Sequence, residues 1–257
     1  MNKLIPKSNV AGVPISKYDL AETLQLFCNF IDNKEKRRVC VTPVNNIVWA
    51  NQNKELMTLY NTSDMNLADG VPIVWASRFL KDPVRGRVTG LDVLPEFSKI
   101  AAVRGYTSFY MGAKDGVAEL LAKNFSLIYP GLKIVGCYSP PFAKKFTDIE
   151  NEKIISMINN LKPDILWVSL TSPKQDFWIA EHFERLNVRI AIGVGGAFEV
   201  CSGVIDRAPK WMQRNGLEWF YRFLKEPRRL FRRYFLEAPL FFLLILQQKF
   251  DKRKKIV

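Results

Sequence analysis

An aspartate at the end of a short apolar segment is the first candidate for chemistry. Asp69 lies in MNLADGVPI, directly before Gly70. A carboxylate held at a rigid strand end and facing a pocket can take a proton from a hydroxyl group, as a general base does. An aspartate before a glycine is also typical of a turn or a helix cap. Local sequence alone therefore leaves Asp69 either a catalytic base or a turn residue.

Three further side chains can bind a sugar or a phosphate. Thr42 and Asn45 lie in VTPVNN, where Asn45 or Asn46 can instead cap a helix. Arg87 lies in GRVTGLD, and a guanidinium between glycines can hold a carboxylate or a phosphate at two points. A solvated surface arginine fits the same string. Both motifs therefore keep a functional and a structural interpretation.

Two other motifs bring backbone N–H groups and a cation to predicted strand ends. Lys174 and Gln175 in TSPKQDFW follow a strand and a proline, at a helix start that can attract phosphate. Gly195 and Gly196 in GVGGAFE, and Gly112 after another strand, let the backbone approach a ligand. The third glycine of GxGxxG is missing, so the dinucleotide-binding signal is weak. Ordinary helix starts and tight turns explain the same residues.

Metal and thiol chemistry find little support in the residues present. No Asp-x-Asp pair occurs, so arginine and lysine would have to neutralise a leaving diphosphate. The single histidine, His182 in AEHFERL, is expected on a helix surface, away from any catalytic pair. We predict no metal site and no cofactor. Four cysteines match no zinc spacing and are expected to be buried free thiols: Cys28, Cys40, Cys137 and Cys201.

Apolar strands and amphipathic helices alternate along the chain and must position these residues. Strands are predicted at residues 38–42, 65–68, 107–111, 132–137, 165–170 and 189–194. Helices are predicted at residues 47–60, 116–127, 154–161 and 174–186, and Pro72 suits the first turn of another. This order predicts an α/β fold with a Rossmann-like, mostly parallel sheet covered by helices on both faces. Such sheets bind ligands beyond the carboxyl ends of their strands, so the candidate residues are expected along one edge.

Positive charge is concentrated at the C-terminus. The net charge is +13, of which residues 207–257 supply +10 from 14 Lys or Arg and four Asp or Glu. On a helix, several of these basic residues fall within about 80° of Arg222, with aromatic residues on the other side. An apolar run at residues 238–246 and a basic end follow. This pattern predicts a segment that lies in a membrane interface. A packed helix with a solvated basic face and a nucleic-acid-binding arm are the less favoured alternatives.

The change in composition marks one predicted domain boundary. Residues 1–206 are interpreted as a Rossmann-like catalytic domain, and residues 207–257 as a basic amphipathic appendage that associates with membranes. The N-terminal residues lack the apolar core of a signal peptide. The apolar run at 238–246 is shorter than the roughly 20 residues of a transmembrane helix. We therefore expect a protein that is neither secreted nor membrane-spanning.

Seven strings in one order resemble a known family. The chain is similar to the WecG/TagA/CpsF glycosyltransferases, which build bacterial teichoic acids, enterobacterial common antigen and exopolysaccharides. The resemblance covers residues 38–234, and Thr171 is one departure, since many members carry glycine there. Each motif alone is weak, but seven in sequence are specific. The strings are VTPVNN, ADGVPI, GRVTGLD, TSPKQD, GVGGAFE, RAPKW and GLEWFYRFLKEPRRLFRR.

The resemblance implies metal-independent, inverting transfer from a UDP-sugar to a polyprenyl-diphosphate-linked sugar. It matches the family's general base to Asp69. Its other active-site residues correspond to Thr42, Asn45, Arg87 and Gln175. Arginines that grip the lipid diphosphate correspond to Arg222, Arg229 and Arg232. Gly112, Lys174, Gly195 and Gly196 are expected to bind the nucleotide part of the donor.

We accordingly expect a peripheral enzyme at the cytoplasmic face of the bacterial inner membrane. The resemblance implies that the donor sugar is an N-acetylhexosamine, a hexuronic acid or a hexose. The sequence carries no readable code that chooses among them. Nucleic acid is not an expected partner, and a homo-oligomer is compatible with the sequence. A nicotinamide-dependent oxidoreductase on the same type of sheet and a non-catalytic adaptor at the membrane surface are the alternative functions.

Overall fold

A parallel sheet forms the centre of the protein. The computed structural model describes residues 5–209, 211–212 and 217–251, including their side chains except those of Arg229 and Arg233. The strands are β1 (Lys7–Val10), β2 (Val13–Ser16), β3 (Arg37–Pro43), β4 (Met65–Asp69), β5 (Thr107–Gly112), β6 (Lys133–Tyr138), β7 (Ile165–Ser169) and β8 (Ile190–Gly193). Six of them pair in parallel in the order β4-β3-β8-β7-β5-β6. β1 and β2 form a separate antiparallel hairpin that was not predicted.

Helices cover both faces of the sheet. They are α1 (Leu20–Asp32), α2 (Val44–Gln52), α3 (Lys54–Thr62), α4 (Val71–Phe79), α5 (Gly90–Arg104), α6 (Val117–Ile128), α7 (Asp148–Leu161), α8 (Lys174–His182) and α9 (Ala197–Cys201). α1, α5, α6 and α9 pack on one face. α2, α3, α4, α7 and α8 pack on the other, together with the hairpin. The predicted fold class is confirmed.

Alternation along the buried strands divides the core into these two layers. In β7, Trp167 faces the layer that contains α1, while Leu166 and Val168 face the layer that contains α8. Successive side chains of a strand point to opposite faces, so a strand covered on both sides is apolar throughout. This is why the apolar runs in the sequence identified the strands of the sheet to within one or two residues.

The helix predicted at residues 47–60 is two helices. Asn53 ends α2, and its side chain accepts a hydrogen bond from the backbone N–H of Leu56 at 3.0 Å, which caps α3. An asparagine oxygen satisfies a helix N-terminus in this way and lets the chain turn. The prediction that Asn45 or Asn46 caps a helix is wrong. α2 already begins at Val44 after Pro43, and no side chain caps it.

The C-terminal helices begin after Leu217. They are α10 (Glu218–Lys225), α11 (Pro227–Phe231), a π-helical turn (Arg232–Glu237) and α12 (Ala238–Phe250). Pro227 starts a new helix, as expected from its missing N–H group. α10 has no buried residue, whereas α12 buries Phe241 and Ile245 in the same cluster as Ile73. Along the described ranges, none of the helices combines the length and the apolar character needed to traverse a bilayer.

Candidate active site

The carboxyl ends of five neighbouring strands bring most candidate residues to one edge. Asp69 is the last residue of β4, and in the sheet register it pairs with Pro43 of β3. The loop with Gly195 and Gly196 follows β8, and Gln175 follows β7. Gly112 ends β5. The predicted clustering at one edge of the sheet is therefore confirmed, although the chemical role of each residue stays a prediction.

Asp69 stands at a turn that glycine makes possible. Gly70 has a φ of 135°, a backbone conformation that L side chains rarely adopt. Asp69 is half-buried and occupies the last position of β4, directly before this glycine and the start of α4. The backbone N–H of Val88 donates to the carbonyl of Ala68 at 2.9 Å. This bond lays the extended segment around Arg87 along the end of β4, beside Asp69.

Arg87 belongs to a cluster of two arginines and two carboxylates. Its guanidinium contacts Asp92 at 3.2 Å and Glu218 at 3.5 Å. Arg207 contacts the same two carboxylates, at 2.6 Å and 2.9 Å. All four side chains are more than two-thirds buried, so the interpretation of Arg87 as a solvated surface residue is wrong. This Arg87 cluster joins the start of α5 to the first turn of α10. Sequence reasoning missed Asp92, Arg207 and Glu218, because the cluster spans more than 100 residues.

An open cavity of about 580 Å³ lies beside the Arg87 cluster. It runs between the start of α1 and α5, with Leu20, Leu24 and Pro95 on its apolar side and Arg87 and Arg207 on its charged side. Asp69 and Thr42 do not line it. The cavity therefore adjoins the sheet edge at Arg87 and does not cover the predicted base.

The asparagines after β3 belong to a buried polar network. Asn45 donates from Nδ2 to Asn46 Oδ1 at 2.9 Å, and Asn46 Nδ2 donates to Tyr60 Oη at 2.7 Å and to Ser172 Oγ at 2.6 Å. Asn45 Oδ1 is buried and has no hydrogen-bond partner among the described residues. Thr42 is fully buried in the strand below and donates weakly to the Cys40 carbonyl at 3.5 Å. Asn45 is thus fixed in place, with one acceptor oxygen unsatisfied.

Asp176 completes this network, because it binds both Tyr60 and Ser172. This structural role was not predicted from the sequence. It is fully buried, and Oδ2 accepts hydrogen bonds from Tyr60 Oη and Ser172 Oγ, each at 3.2 Å. Burial raises the pKa of its carboxyl to about 7, against the hydrogen bonds from Tyr60 and Ser172, which lower it. The same burial raises the pKa of the Tyr60 hydroxyl well above its usual range. The only signal for this role was the position of Asp176 in TSPKQD.

Gln175 holds the glycine loop. Its side chain is 1% exposed, and Oε1 accepts from the backbone N–H of Gly195 at 2.9 Å. A Cβ on Gly193 would lie 2.7 Å from Gln175 Nε2, so only glycine lets the amide approach so closely. The helix-start position thus serves the loop after β8 through a side-chain hydrogen bond. Whether Gln175 also contacts substrate stays a prediction.

Local packing contacts explain the positions of Lys174 and Gly112. The Lys174 ammonium donates to the Ala143 carbonyl and lies 3.8 Å from the centre of the Phe146 ring. Partial burial lowers its pKa. This side chain points toward the connection between β6 and α7, away from the glycine loop that Gln175 holds. At Gly112, a Cβ would lie 2.3 Å from the Ser169 carbonyl oxygen, so close strand packing requires the glycine.

One appendage arginine reaches the sheet edge in the structure. A Cβ on Gly196 would lie 3.9 Å from Arg222 Nη2, which places this guanidinium at the glycine loop. Arg232 is mostly exposed and contacts Glu237 at 3.5 Å, a carboxylate that also accepts from Trp49 Nε1 at 3.0 Å. The side chain of Arg229 lies outside the described residues. Of the three arginines predicted to bind the lipid diphosphate, Arg222 is thus the one that the described residues place at the sheet edge.

The histidine and the four cysteines are not among the candidate residues at the sheet edge. His182 is 6% exposed and packs on Trp178, with ring centroids 5.1 Å apart, so its predicted surface position is wrong. Burial lowers its pKa. The four cysteines are free as predicted, but only Cys28 and Cys40 are buried; Cys137 and Cys201 are partly exposed, so their predicted burial is wrong. Among the described residues no group of three His, Cys, Asp or Glu side chains is arranged to hold a metal ion.

Comparison with known proteins places this geometry in a family. The sequence model of the Glycosyl transferase WecG/TagA/CpsF family matches residues 8–255. Similar curated proteins are N-acetylglucosaminyldiphosphoundecaprenol N-acetyl-beta-D-mannosaminyltransferases of Staphylococcus aureus, from strains MRSA252 and MW2. Each is 28% identical to the chain over 228 residues, which is 88% of this chain and 87% of the relative.

Proposed function

Because the chain belongs to the WecG/TagA/CpsF glycosyltransferase family, we propose that it transfers a sugar from a UDP-sugar to an undecaprenyl-diphosphate-linked N-acetylglucosamine. Membership makes the protein a glycosyltransferase that acts in cell-surface polymer synthesis. The staphylococcal relatives are named for that acceptor and for N-acetylmannosamine as the transferred sugar. N-acetylmannosamine is therefore the first donor sugar to test.

The proposal is carried by a carboxylate and two guanidinium groups at one edge of the sheet. Asp69 ends β4, Arg87 lies along the same strand end, and Arg222 reaches the loop after β8, two strands away. Sugar transfer from a nucleotide needs a base for the acceptor hydroxyl and positive charge for the departing diphosphate. Asp69 and the two arginines supply both without a bound cation.

The reaction follows as a single displacement. Asp69 takes the proton of the acceptor hydroxyl, and the oxygen attacks the anomeric carbon of the donor. The bond from this carbon to the UDP oxygen breaks, and its electron pair leaves with UDP. Attack from the face opposite UDP inverts the anomeric configuration. Arg222 and Arg87 stabilise the negative charge that grows on the diphosphate.

The buried residues around the edge hold the reacting groups in position. Gln175 fixes Gly195, whose backbone lies where the donor phosphates bind. Asn45, which is buried and donates a hydrogen bond to Asn46, holds the chain in place where it leaves β3 after the buried Thr42. Such preorganisation lowers the barrier because the dipoles need not reorient as charge develops.

The C-terminal segment brings the enzyme to its lipid-linked acceptor. Exposed aromatic side chains on α10 and α12, together with the exposed Lys225 of α10, suit the interface of an anionic membrane. We place the protein peripherally at the cytoplasmic face of the bacterial inner membrane. A homo-oligomer stays compatible with this arrangement.

UDP release tests the proposal. The wild type and Asp69→Asn are compared with UDP-N-acetylmannosamine and other UDP-sugars, a short-chain polyprenyl-diphosphate N-acetylglucosamine acceptor, and EDTA. We expect turnover that survives EDTA and falls about 10²- to 10⁴-fold in Asp69→Asn, since a general base contributes that much. Asp148→Asn is the matched control, because this exposed aspartate follows β6, at the opposite edge of the sheet from β4. Near-wild-type turnover of Asp69→Asn would refute the assignment of the base.

The alternative functions make different predictions in the same experiment. A nicotinamide-dependent oxidoreductase would gain thermal stability from NAD or NADP, whereas a glycosyltransferase should respond to UDP. A non-catalytic adaptor would bind vesicles and release no UDP from any donor. The expected response to UDP together with turnover would exclude both alternatives.

A further inference from the structure

Two large aromatic side chains are exposed on a helix of the catalytic domain. Trp75 is 60% exposed and Phe79 is 46% exposed, one turn apart on the same side of α4. The opposite side of α4 is buried, through Ile73, Val74 and Ala76. A tryptophan and a phenylalanine side by side on a surface form an apolar patch that is not buried in the core. Such a patch is typical of a site that contacts a membrane or another molecule.

The exposed side of α12 continues the same apolar surface. Lys249 of α12 donates to the Phe79 carbonyl at 2.6 Å and lies over the Phe79 ring at 5.0 Å. At 100° per residue, Lys249 is about 80° from the buried Phe241, Phe242 is about 100° and Leu246 about 140°. Phe242 and Leu246 therefore lie on the side of α12 that adjoins α4, and both are more than 40% exposed.

The two helices carry basic residues and no acidic ones. The sequences of α4 (VPIVWASRF) and α12 (APLFFLLILQQKF) contain no acidic residue. Exposed Arg78 lies between Trp75 and Phe79, Lys81 follows α4, and Lys249 joins the two helices. Asp82, which follows α4, is paired with Lys17. Glu237 precedes α12 but is buried, contacts Arg232 and accepts a hydrogen bond from Trp49, and the partly buried Asp251 follows α12. An apolar centre with basic residues at its border complements an anionic lipid surface.

We propose that α4 and α12 form one membrane-contact surface, in which Trp75 and Phe79 enter the lipid interface together with Phe242 and Leu246. The catalytic domain then touches the membrane itself, beside the C-terminal segment. A second copy of the chain fits this surface less well. In a symmetric pair, Arg78, Lys81 and Lys249 would meet the same positive charges with no acidic residue of either helix opposite.

This contact gives the active site an orientation, a consequence that rests on the proposed function. α4 begins two residues after Asp69, so insertion of Trp75 and Phe79 holds the end of β4 close to the interface. The diphosphate of a polyprenyl-linked acceptor lies at that depth, since its hydrocarbon chain is in the bilayer. The acceptor hydroxyl can then reach Asp69 without leaving the membrane surface.

Vesicle binding by the full chain, without substrate, tests the contact. Phosphatidylglycerol vesicles are compared with phosphatidylcholine vesicles for the wild type, Trp75→Ala and Trp75→Phe. We expect Trp75→Ala to bind phosphatidylglycerol about tenfold more weakly and Trp75→Phe to bind nearly as the wild type, because an apolar ring is retained. Phe142→Ala is the matched control, since this aromatic is 99% exposed on the connection after β6. It should not change binding.

Fluorescence gives a second measurement that does not depend on affinity. Brominated phosphatidylglycerol should quench the part of the emission that is lost in Trp75→Phe. Binding of Trp75→Ala at the wild-type level, or a Trp75 emission that bromine leaves unchanged, would overturn the proposal. So would an oligomer that Trp75→Ala dissociates while vesicle binding persists, because a second copy would then occupy the surface. Loss of UDP release in the earlier experiment would leave these results unaffected.

Discussion

The carboxyl edge of the sheet buries polar side chains, whereas the C-terminal helices expose apolar ones. At the sheet edge, Asn46 and Asp176 are completely buried and hydrogen-bonded to other side chains. In the C-terminal helices, Phe231, Phe235 and Leu236 are more than half exposed. Buried polar groups require nearly complete partners, whereas a contiguous patch of exposed apolar side chains marks a site of contact with a membrane or another molecule.

This difference in burial suits the two regions to different roles. A hydrogen-bonded network such as that of Asn45, Asn46 and Tyr60 has few alternative arrangements, so it can hold a reacting group in place. The aromatic side chains of α10 mostly contact the π-helical turn of the same C-terminal segment. Trp219 lies 5.4 Å from Tyr234, and Phe223 lies 5.4 Å from Phe235, measured between ring centroids. The Arg87 cluster and the buried side of α12 connect the two regions. A buried, hydrogen-bonded sheet edge is thus joined to a C-terminal segment that exposes apolar side chains.

The largest expected effect concerns two adjacent phenylalanines of α12. Phe241 is fully buried among residues of α2 and α4, whereas Phe242 is 48% exposed. Phe241→Ala should lower the free energy of unfolding by about 3–5 kcal/mol, because it leaves a cavity. Phe242→Ala should change it by less than about 0.5 kcal/mol. Urea unfolding checks both, and equal, small effects would mean that α12 does not share the core of the catalytic domain.

A second pair of variants compares adjacent residues of α8. Gln175→Ala removes the acceptor of the Gly195 N–H group and should lower the free energy of unfolding by about 1–3 kcal/mol. We also expect lower kcat, because the glycine loop loses its support. Lys174→Ala should affect kcat less, since the ammonium contacts Ala143 and Phe146. If Lys174→Ala instead raises the KM for the donor strongly, its predicted role in donor binding is correct and the ammonium must turn toward the loop.

A third expected effect is a pH dependence that comes from the buried network. Folding raises the pKa of Asp176 to about 7, whereas in the unfolded chain it should be near 3.9. Between these values the folded state binds the proton and the unfolded state releases it, so this carboxyl makes stability fall as pH rises from about 4 to 7. Asp176→Asn cannot lose a proton and should flatten that fall.

Urea unfolding at pH 5 and pH 8 measures this effect. The difference in stability between Asp176→Asn and the wild type should shift in favour of the variant at pH 8. Asp148→Asn, at an exposed position, should show no such shift. An unchanged difference at the two pH values would mean that Asp176 is ionised throughout and that the network holds a charged carboxylate.

Much of the site could be predicted from local patterns because strand ends are readable. The apolar runs located β3, β4, β5, β7 and β8, and residues after parallel strands must share an edge. Side-chain partners were less accessible. Asn45 and Asn46 matched the composition of a helix cap, yet α2 begins before them and turns both inward. His182 looked like a surface residue because its helix is polar nearby, but Trp178 and the end of α8 cover it.

The sequence by itself determined the sheet, the edge that carries Asp69 and the amphipathic character of the C-terminal segment. These follow from periodicity and charge over ten or twenty residues, which act locally. Only the tertiary structure decided that Arg87 pairs with Glu218, that Arg222 reaches Gly196 and that α12 docks beside Phe79. Each of these contacts joins residues that lie 26 or more positions apart, and most of them join residues more than 100 apart. Such partners are selected by packing and charge in three dimensions, which no local pattern records.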